Sequence, residues 1–336
     1  MDQNELVAIN FEQCNLVADV LQSLDLRQDF YQREYLHLDS DRETLLAMHF
    51  FAVAICHQTH KLHHPVLDIW GWDYIEFAFV KIARNHSPLL DPAWLAKADY
   101  SEISKLLLIA FSHTGMAADS TLDRIEERAT LMQEAAHQLV KFYGGKLSNF
   151  FHVFEQNLEV DGNGLYNKLS KMKAFSDSMH KKSTFLIKLL IESGLIAIAD
   201  PENFIPIMDY HMQRVLLRLG CVEIVDDELR KNIQHRIALQ TDEPVRSACI
   251  EAFRLIAEIS EHDVTKMNDF FWSLGRSCCH ETTLCIERFC SKKPCTFALI
   301  VKLTDHSTCA FENICLGAVD EKYRKLWQPV VETHFY

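Results

Sequence analysis

Chain breakers are scarce in this protein: ten glycines and eight prolines in 336 residues, where average usage would supply roughly 40. Their scarcity, together with many apolar-periodic runs, argues for long helices. No run of 18 apolar residues occurs, so no membrane span is expected. The opening stretch MDQNELVAINFEQC has neither the basic nor the apolar region of a secretory signal. The expectation is a cytoplasmic protein whose 11 cysteines stay reduced. Positive charge is also in deficit, with 34 Lys and Arg against 47 Asp and Glu and a net charge of −13. That balance counts against tight binding of duplex DNA, although a local patch can oppose the net sign.

What is present reads as an all-α protein. Apolar periodicity predicts helix over 1–40 with a break at HLDSD, where Asp39 or Ser40 would cap the next helix. That helix would run through ETLLAMHFFAVAICHQTH. Further helices are predicted at about 73–86, 101–112, 119–143, 147–158, 165–175, 181–193, 209–219, 226–238, 244–261 and 263–274. EVDGNG at 159–164 is a loop and a plausible boundary. The predicted architecture is two packed helical lobes, 1–160 and 161–274, with a catalytic cleft between them. A cysteine-rich metal-cluster loop and tail at 275–336 would follow.

Seven of the 11 cysteines fall at 278, 279, 285, 290, 295, 309 and 315, where chance would put about one. They lack the paired CxxC hooks of zinc ribbons. Irregular spacing in one loop suits a 4Fe–4S cluster, each iron taking one thiolate. Zinc is the alternative, and buried reduced thiols the bland one. The four ligands chosen from spacing are Cys279, Cys285, Cys290 and Cys295, with Cys309 and Cys315 as replacements.

A second signal is FIPIMDYHMQRVLLRLG. Asp209 opens a helix after an extended, proline-containing lead-in, and His211 and Arg214 follow within a turn. Capping alone explains an Asp in most such positions. Pro206, Asp209, His211 and Arg214 resemble the catalytic segment of the helix-hairpin-helix base-excision DNA glycosylase superfamily. Several members of that superfamily carry an iron–sulfur loop C-terminal to the helix. The usual cysteine spacing and Gly-rich hairpin of the superfamily are absent here. HKKSTFLIKLL (180–190) is more similar to the archaeal 8-oxoguanine glycosylases, and on that match Lys182 takes the position of the imine-forming lysine. The chain is also similar to the queuosine-salvage glycosylases. The resemblance implies an N-glycosylase with Asp209 and Lys182 catalytic and His211 near the substrate. Six lysines between 168 and 188, against the single acid Asp177, could depress the Lys182 pKa, hold phosphates, or form a solvated face.

The stretch CHQTHKLHHPVLDIWGWDY supplies Gln58, Trp72 and Asp73 as candidate base-recognition residues, through stacking and base-edge hydrogen bonds. Its histidines (His57, His60, His64) offer a weaker metal reading, and core packing is the plain alternative. The expected activity is excision of a damaged or modified base from nucleic acid, with a free modified nucleoside or nucleotide as the alternative substrate and no membrane partner. The non-enzymatic alternative is an iron–sulfur scaffold or sensor. Acidic charge and the missing hairpin favour the nucleoside, whereas the cysteine loop favours nucleic acid.

Overall fold

The computed structural model describes residues 6–26, 38–152, 156–160, 162–292, 295–301 and 306–336. The chain is mostly helical, and the strands among the described residues are two or three residues long. Two compact units form. One comprises residues 1–32 and 205–332; the other comprises residues 33–204 and 333–336. Neither is contiguous in sequence.

In the first unit the long helix Glu243–Ser260 packs against Phe11–Gln22, Tyr210–Leu219 and Val264–Ser273. Val17, Leu21, Val215, Leu216, Phe253, Ile256, Phe270 and Phe271 are buried in this core. The N-terminal stretch departs from the helical expectation. Val7–Ile9 is a strand, paired antiparallel with Val222–Ile224, and the helix runs only over Phe11–Gln22. The Asn10 side chain accepts the Gln13 N–H and its backbone N–H donates to Cys221, which ends the strand and starts the helix at one residue. The rest of the predicted stretch, residues 1–5 and 27–37, lies outside the described residues.

In the second unit the helix Arg42–Ala54 is buried from Leu46 to Ala54 and packs against Trp72–Arg84, Ile125–Tyr143 and Lys181–Glu192. Its cap is Asp41, not Asp39 or Ser40: the Asp41 carboxylate accepts the Thr44 N–H at 3.0 Å. The helix stops at Ala54 rather than running to His60, because the next residues turn to bring His57 inward. The helix predicted over 147–158 is a single turn, Leu147–Phe150. Its first two amides are capped by the Glu43 carboxylate at 2.6 and 3.0 Å. Among the described residues no helix is long and apolar enough to cross a membrane.

Candidate functional site

The segment from Ile205 reaches the Tyr210–Leu219 helix as irregular chain, with a tight turn in which the Met208 N–H donates to the Pro206 carbonyl at 2.8 Å. The Asn268 side-chain oxygen holds it by accepting the Ile207 N–H at 3.0 Å. Asp209 then caps the helix, its Oδ1 accepting the His211 and Met212 N–H groups at 2.8 and 3.0 Å. Asp209 is 7% exposed and therefore largely buried. The helix ends at Gly220, whose φ of +87° satisfies the left-handed C-terminal geometry that glycine adopts without steric cost.

Behind Asp209 the helix is bolted to the cysteine segment by two buried arginines. Arg214 Nε donates to the Cys279 carbonyl at 2.9 Å, and one terminal nitrogen donates to the Gly275 carbonyl at 2.6 Å and contacts His211 Nδ1 at 3.1 Å. The other terminal nitrogen donates to Gln328. Burial lowers the Arg214 pKa to about 10, which leaves it charged at neutral pH. Arg218 donates to the carbonyls of Leu326 and His280 and, at 3.6 Å, to Cys279 Sγ. The Trp327 ring lies against both guanidinium groups, 4.4 Å from Arg214 and 5.3 Å from Arg218. Gly275 permits this close docking, because a Cβ there would lie 2.6 Å from the His211 carbonyl oxygen. Neither the arginine pair nor Trp327 stood out in the sequence as a joint between the Asp209 helix and the cysteines.

The cysteines themselves divide into two groups. Cys278, Cys290, Cys295 and His306 bring their ligand atoms within 4.8 Å of one another, an arrangement that can hold a metal ion. Cys278 Sγ and Cys295 Sγ are 3.8 Å apart, and His306 Nε2 is 3.4 Å from each. The neighbouring residues lock this pair. Ser277 Oγ and Thr296 Oγ1 share a buried hydrogen bond of 2.8 Å, and the Thr296 N–H donates to Ser277 Oγ. The contact between the two thiols lowers the Cys295 pKa and raises that of Cys278. Of the four ligands chosen from spacing, Cys290 and Cys295 belong here, and Cys279 and Cys285 do not. His306 and Cys278 take their places.

Cys279 and Cys285 instead line a small cavity with Cys309, Cys315 and Cys278, so Cys278 borders both groups. Burial pushes the Cys315 thiol up to about 12 and Cys309 further, and the neighbouring Cys279 and Cys285 sulfurs add to the rise in both. All 11 cysteines are free of disulfides.

Lys182 lies in the other unit, at the start of Lys181–Glu192, and is fully buried. Its Nζ donates to the Ala54 carbonyl at 2.6 Å and lies 3.5 Å from His57 Nδ1. Three of the six patch lysines, Lys181, Lys182 and Lys188, are buried, and Lys188 pairs with Glu192. The patch is therefore not the solvated basic face that its sequence suggested. The remaining candidates also belong to this second unit. Gln58 Nε2 and its backbone N–H both reach the Tyr336 carbonyl, so Gln58 anchors the chain end. Trp72 packs edge-on against Phe185 at 4.7 Å, and Asp73 sits in the first turn of Trp72–Arg84. His57 pairs with Glu127 at 3.1 Å, and His64 Nδ1 accepts the Leu67 N–H. Among the described residues these histidines form no ligand group.

Burial of Lys182 has a measurable consequence. Desolvation lowers its pKa from 10.5 to about 7. Below pH 7 both folded and unfolded chains carry the charge, and the folded state bears the full cost of burying it. Above the ordinary lysine range both are neutral and the cost is gone. Between these limits the unfolded chain binds the extra proton, so stability rises with pH. Lys182→Met removes the charge. It is expected to be more stable than the wild type by several kcal/mol near pH 6, the difference shrinking steadily toward pH 10. Urea midpoints across that range measure it. A difference that does not change with pH would mean that the ammonium is not desolvated.

Neither a protein-family model nor a curated protein matches the chain.

Proposed function

We propose that the protein is an N-glycosylase that releases the base from a free modified nucleoside or nucleotide, the substrate class of the queuosine-salvage glycosylases that it resembles. The observation that carries this reading is Asp209, a carboxylate at the end of an irregular, proline-containing lead-in, fixed by two backbone amides and backed by the Arg214 contacts. Cleaving an N-glycosidic bond builds positive charge on the sugar. A fixed carboxylate beneath C1′ stabilises that charge and orients a water for attack. His211, two residues on and held by Arg214, would contact the leaving base or the sugar. Water rather than Lys182 is the nucleophile in this reading, because the Lys182 amine is enclosed and already bonded to Ala54.

Burial of half the lysine patch removes the main electrostatic support for a polymeric substrate, since counterion-releasing contacts need exposed charge. The test is a screen that measures free base released from modified nucleosides, their 5′-phosphates and base-modified oligonucleotides. Release from the monomers but not from the oligonucleotides is expected. Release only from oligonucleotides would transfer the activity to nucleic acid, and no release from any of them would leave a metal-bearing scaffold.

For the Cys278, Cys290, Cys295 and His306 group the reading is zinc. A tetrahedral zinc with Zn–S near 2.3 Å and Zn–N near 2.0–2.1 Å needs S···S edges of about 3.8 Å and S···N edges of about 3.5 Å. The separations of 3.8 and 3.4 Å support that ion. A 4Fe–4S cluster, the cofactor expected from cysteine spacing, holds its thiolates on the order of 6 Å apart, too far for this group. Zinc here has a structural role: four protein ligands leave no open position for substrate.

A further inference from the structure

We infer that a cavity in the first unit binds a free α-amino acid with an aliphatic side chain, holding the ammonium with an acidic contact and the carboxylate with a basic one. This site is independent of the glycosylase reading and of the Cys278, Cys290, Cys295 and His306 group.

The cavity measures about 210 Å³ and lies beside the Val222–Ile224 strand. Glu223 and Ile224 come from the strand and Arg230 from the helix Asp227–Gln234; Lys322, Tyr323 and Leu326 come from the helical turn Glu321–Arg324 and the chain after it. Pockets for drug-sized ligands hold about 300–1,000 Å³, so the occupant here is smaller than that. The walls are fixed by bonds of their own. Gln234 Nε2 donates to the Lys322 carbonyl at 3.0 Å, which ties the turn to the helix, and Arg230 donates to the Ile224 carbonyl, which ties the helix to the strand. The site is therefore formed before a ligand arrives.

Charge in the cavity is divided. The Glu223 carboxylate accepts from Asn10 Nδ2 at 3.0 Å and from the Tyr323 hydroxyl at 3.5 Å. Both bonds fall on Oε1, which leaves Oε2 for a ligand ammonium. Burial and the neighbouring Glu223 charge raise the Tyr323 pKa, so the phenol stays protonated and keeps acceptor capacity of its own. The Lys322 ammonium lies over the same ring, 5.7 Å from its centroid. Among the described residues it pairs with no carboxylate, and the adjacent Glu321 is taken by Lys325 at 3.0 Å. Arg230 adds a second cation; its terminal nitrogens serve Asp227 and the Ile224 carbonyl, and its Nε is left. An acid and a base that flank one ring without pairing match the two ends of a zwitterion. A bare anion would meet Glu223, and a bare amine would meet two cations, so like charge disfavours both. Ile224, Val225 and Leu326 supply the apolar part of the wall, against which an aliphatic side chain sheds its water.

The test is calorimetric titration of the full-length protein with L-leucine, N-acetyl-L-leucine, L-leucinamide and glycine. L-Leucine is expected to bind. Blocking either charge should weaken binding by about tenfold or more, the scale of one hydrogen bond to a charged group. Glycine, which lacks the side chain, should lose a similar factor. Glu223→Gln keeps an oxygen for Asn10 and should bring L-leucine down to the affinity of N-acetyl-L-leucine. Lys322→Met should weaken L-leucine and leave L-leucinamide unchanged. Circular dichroism reports whether each variant folds. If Glu223→Gln does not, Lys322→Met carries the test, because Lys322 is exposed. N-acetyl-L-leucine or L-leucinamide binding as tightly as L-leucine would overturn the zwitterion site. So would glycine binding as tightly as L-leucine, L-leucine affinity that survives Lys322→Met, or no binding of L-leucine at millimolar concentration.

Discussion

Asp209→Asn is expected to lower base release by about 10²–10³-fold or more, the usual scale for removing one fixed charge or donor from a developing ionic centre. The fold should survive. An asparagine oxygen accepts amide protons at a helix start about as well as a carboxylate does, so the bonds to His211 and Met212 remain. What disappears is the negative charge beneath the sugar. Asp209→Ala separates the two roles, since it loses the cap as well and should cost a further 0.5–2 kcal/mol or so of stability. Single-turnover release with saturating substrate, alongside thermal melting, distinguishes these effects. If Asp209→Asn turns over at the wild-type rate, Asp209 is a helix cap and the glycosylase reading falls. The Cys278, Cys290, Cys295 and His306 group would be untouched by that result.

The second large effect concerns the Cys278, Cys290, Cys295 and His306 group. Stripping its metal with a strong chelator, or replacing Cys295 by Ser, should destabilise the first unit severely. Structural zinc contributes roughly 10–16 kcal/mol of apparent binding free energy in small peptides. With a bound ion, part of that would act through the hydrogen-bonded Ser277 and Thr296 pair beside the group. A loss of several kcal/mol at roughly 2–4 °C per kcal/mol predicts a fall in melting temperature of about 10 °C or more. Limited proteolysis should then cut within 290–306. Because Arg214 joins this turn to the Asp209 helix through the Gly275 and Cys279 carbonyls, base release should fall with the metal. A chelated protein that melts at the same temperature would show that the four side chains meet without a structural ion.

The local elements were written plainly in the sequence. Sparse glycine and proline and apolar residues at i, i+3, i+4, i+7 are intrinsic to the chain. They located Tyr210–Leu219, Lys181–Glu192 and Glu243–Ser260 to within a residue or two. The helix-capping position of Asp209 and the concentration of possible metal ligands in the C-terminal segment were equally legible, because both depend on residues close in sequence. Tertiary structure decided the rest. Val7–Ile9 is a strand only because Val222–Ile224, more than 200 residues away, supplies its hydrogen bonds. The lysines at 181, 182 and 188 look like a charged face in sequence but point inward, because the apolar neighbours Leu186, Ile187, Leu189 and Leu190 surround the helix on nearly every side. Spacing could count cysteines but could not divide them, since adjacent residues can face opposite ways and a ligand such as His306 carries no local mark. Which sulfurs approach one another depends on how the chain around Gly275, Cys279 and His280 docks on Arg214 and Arg218, and those contacts exist only in three dimensions.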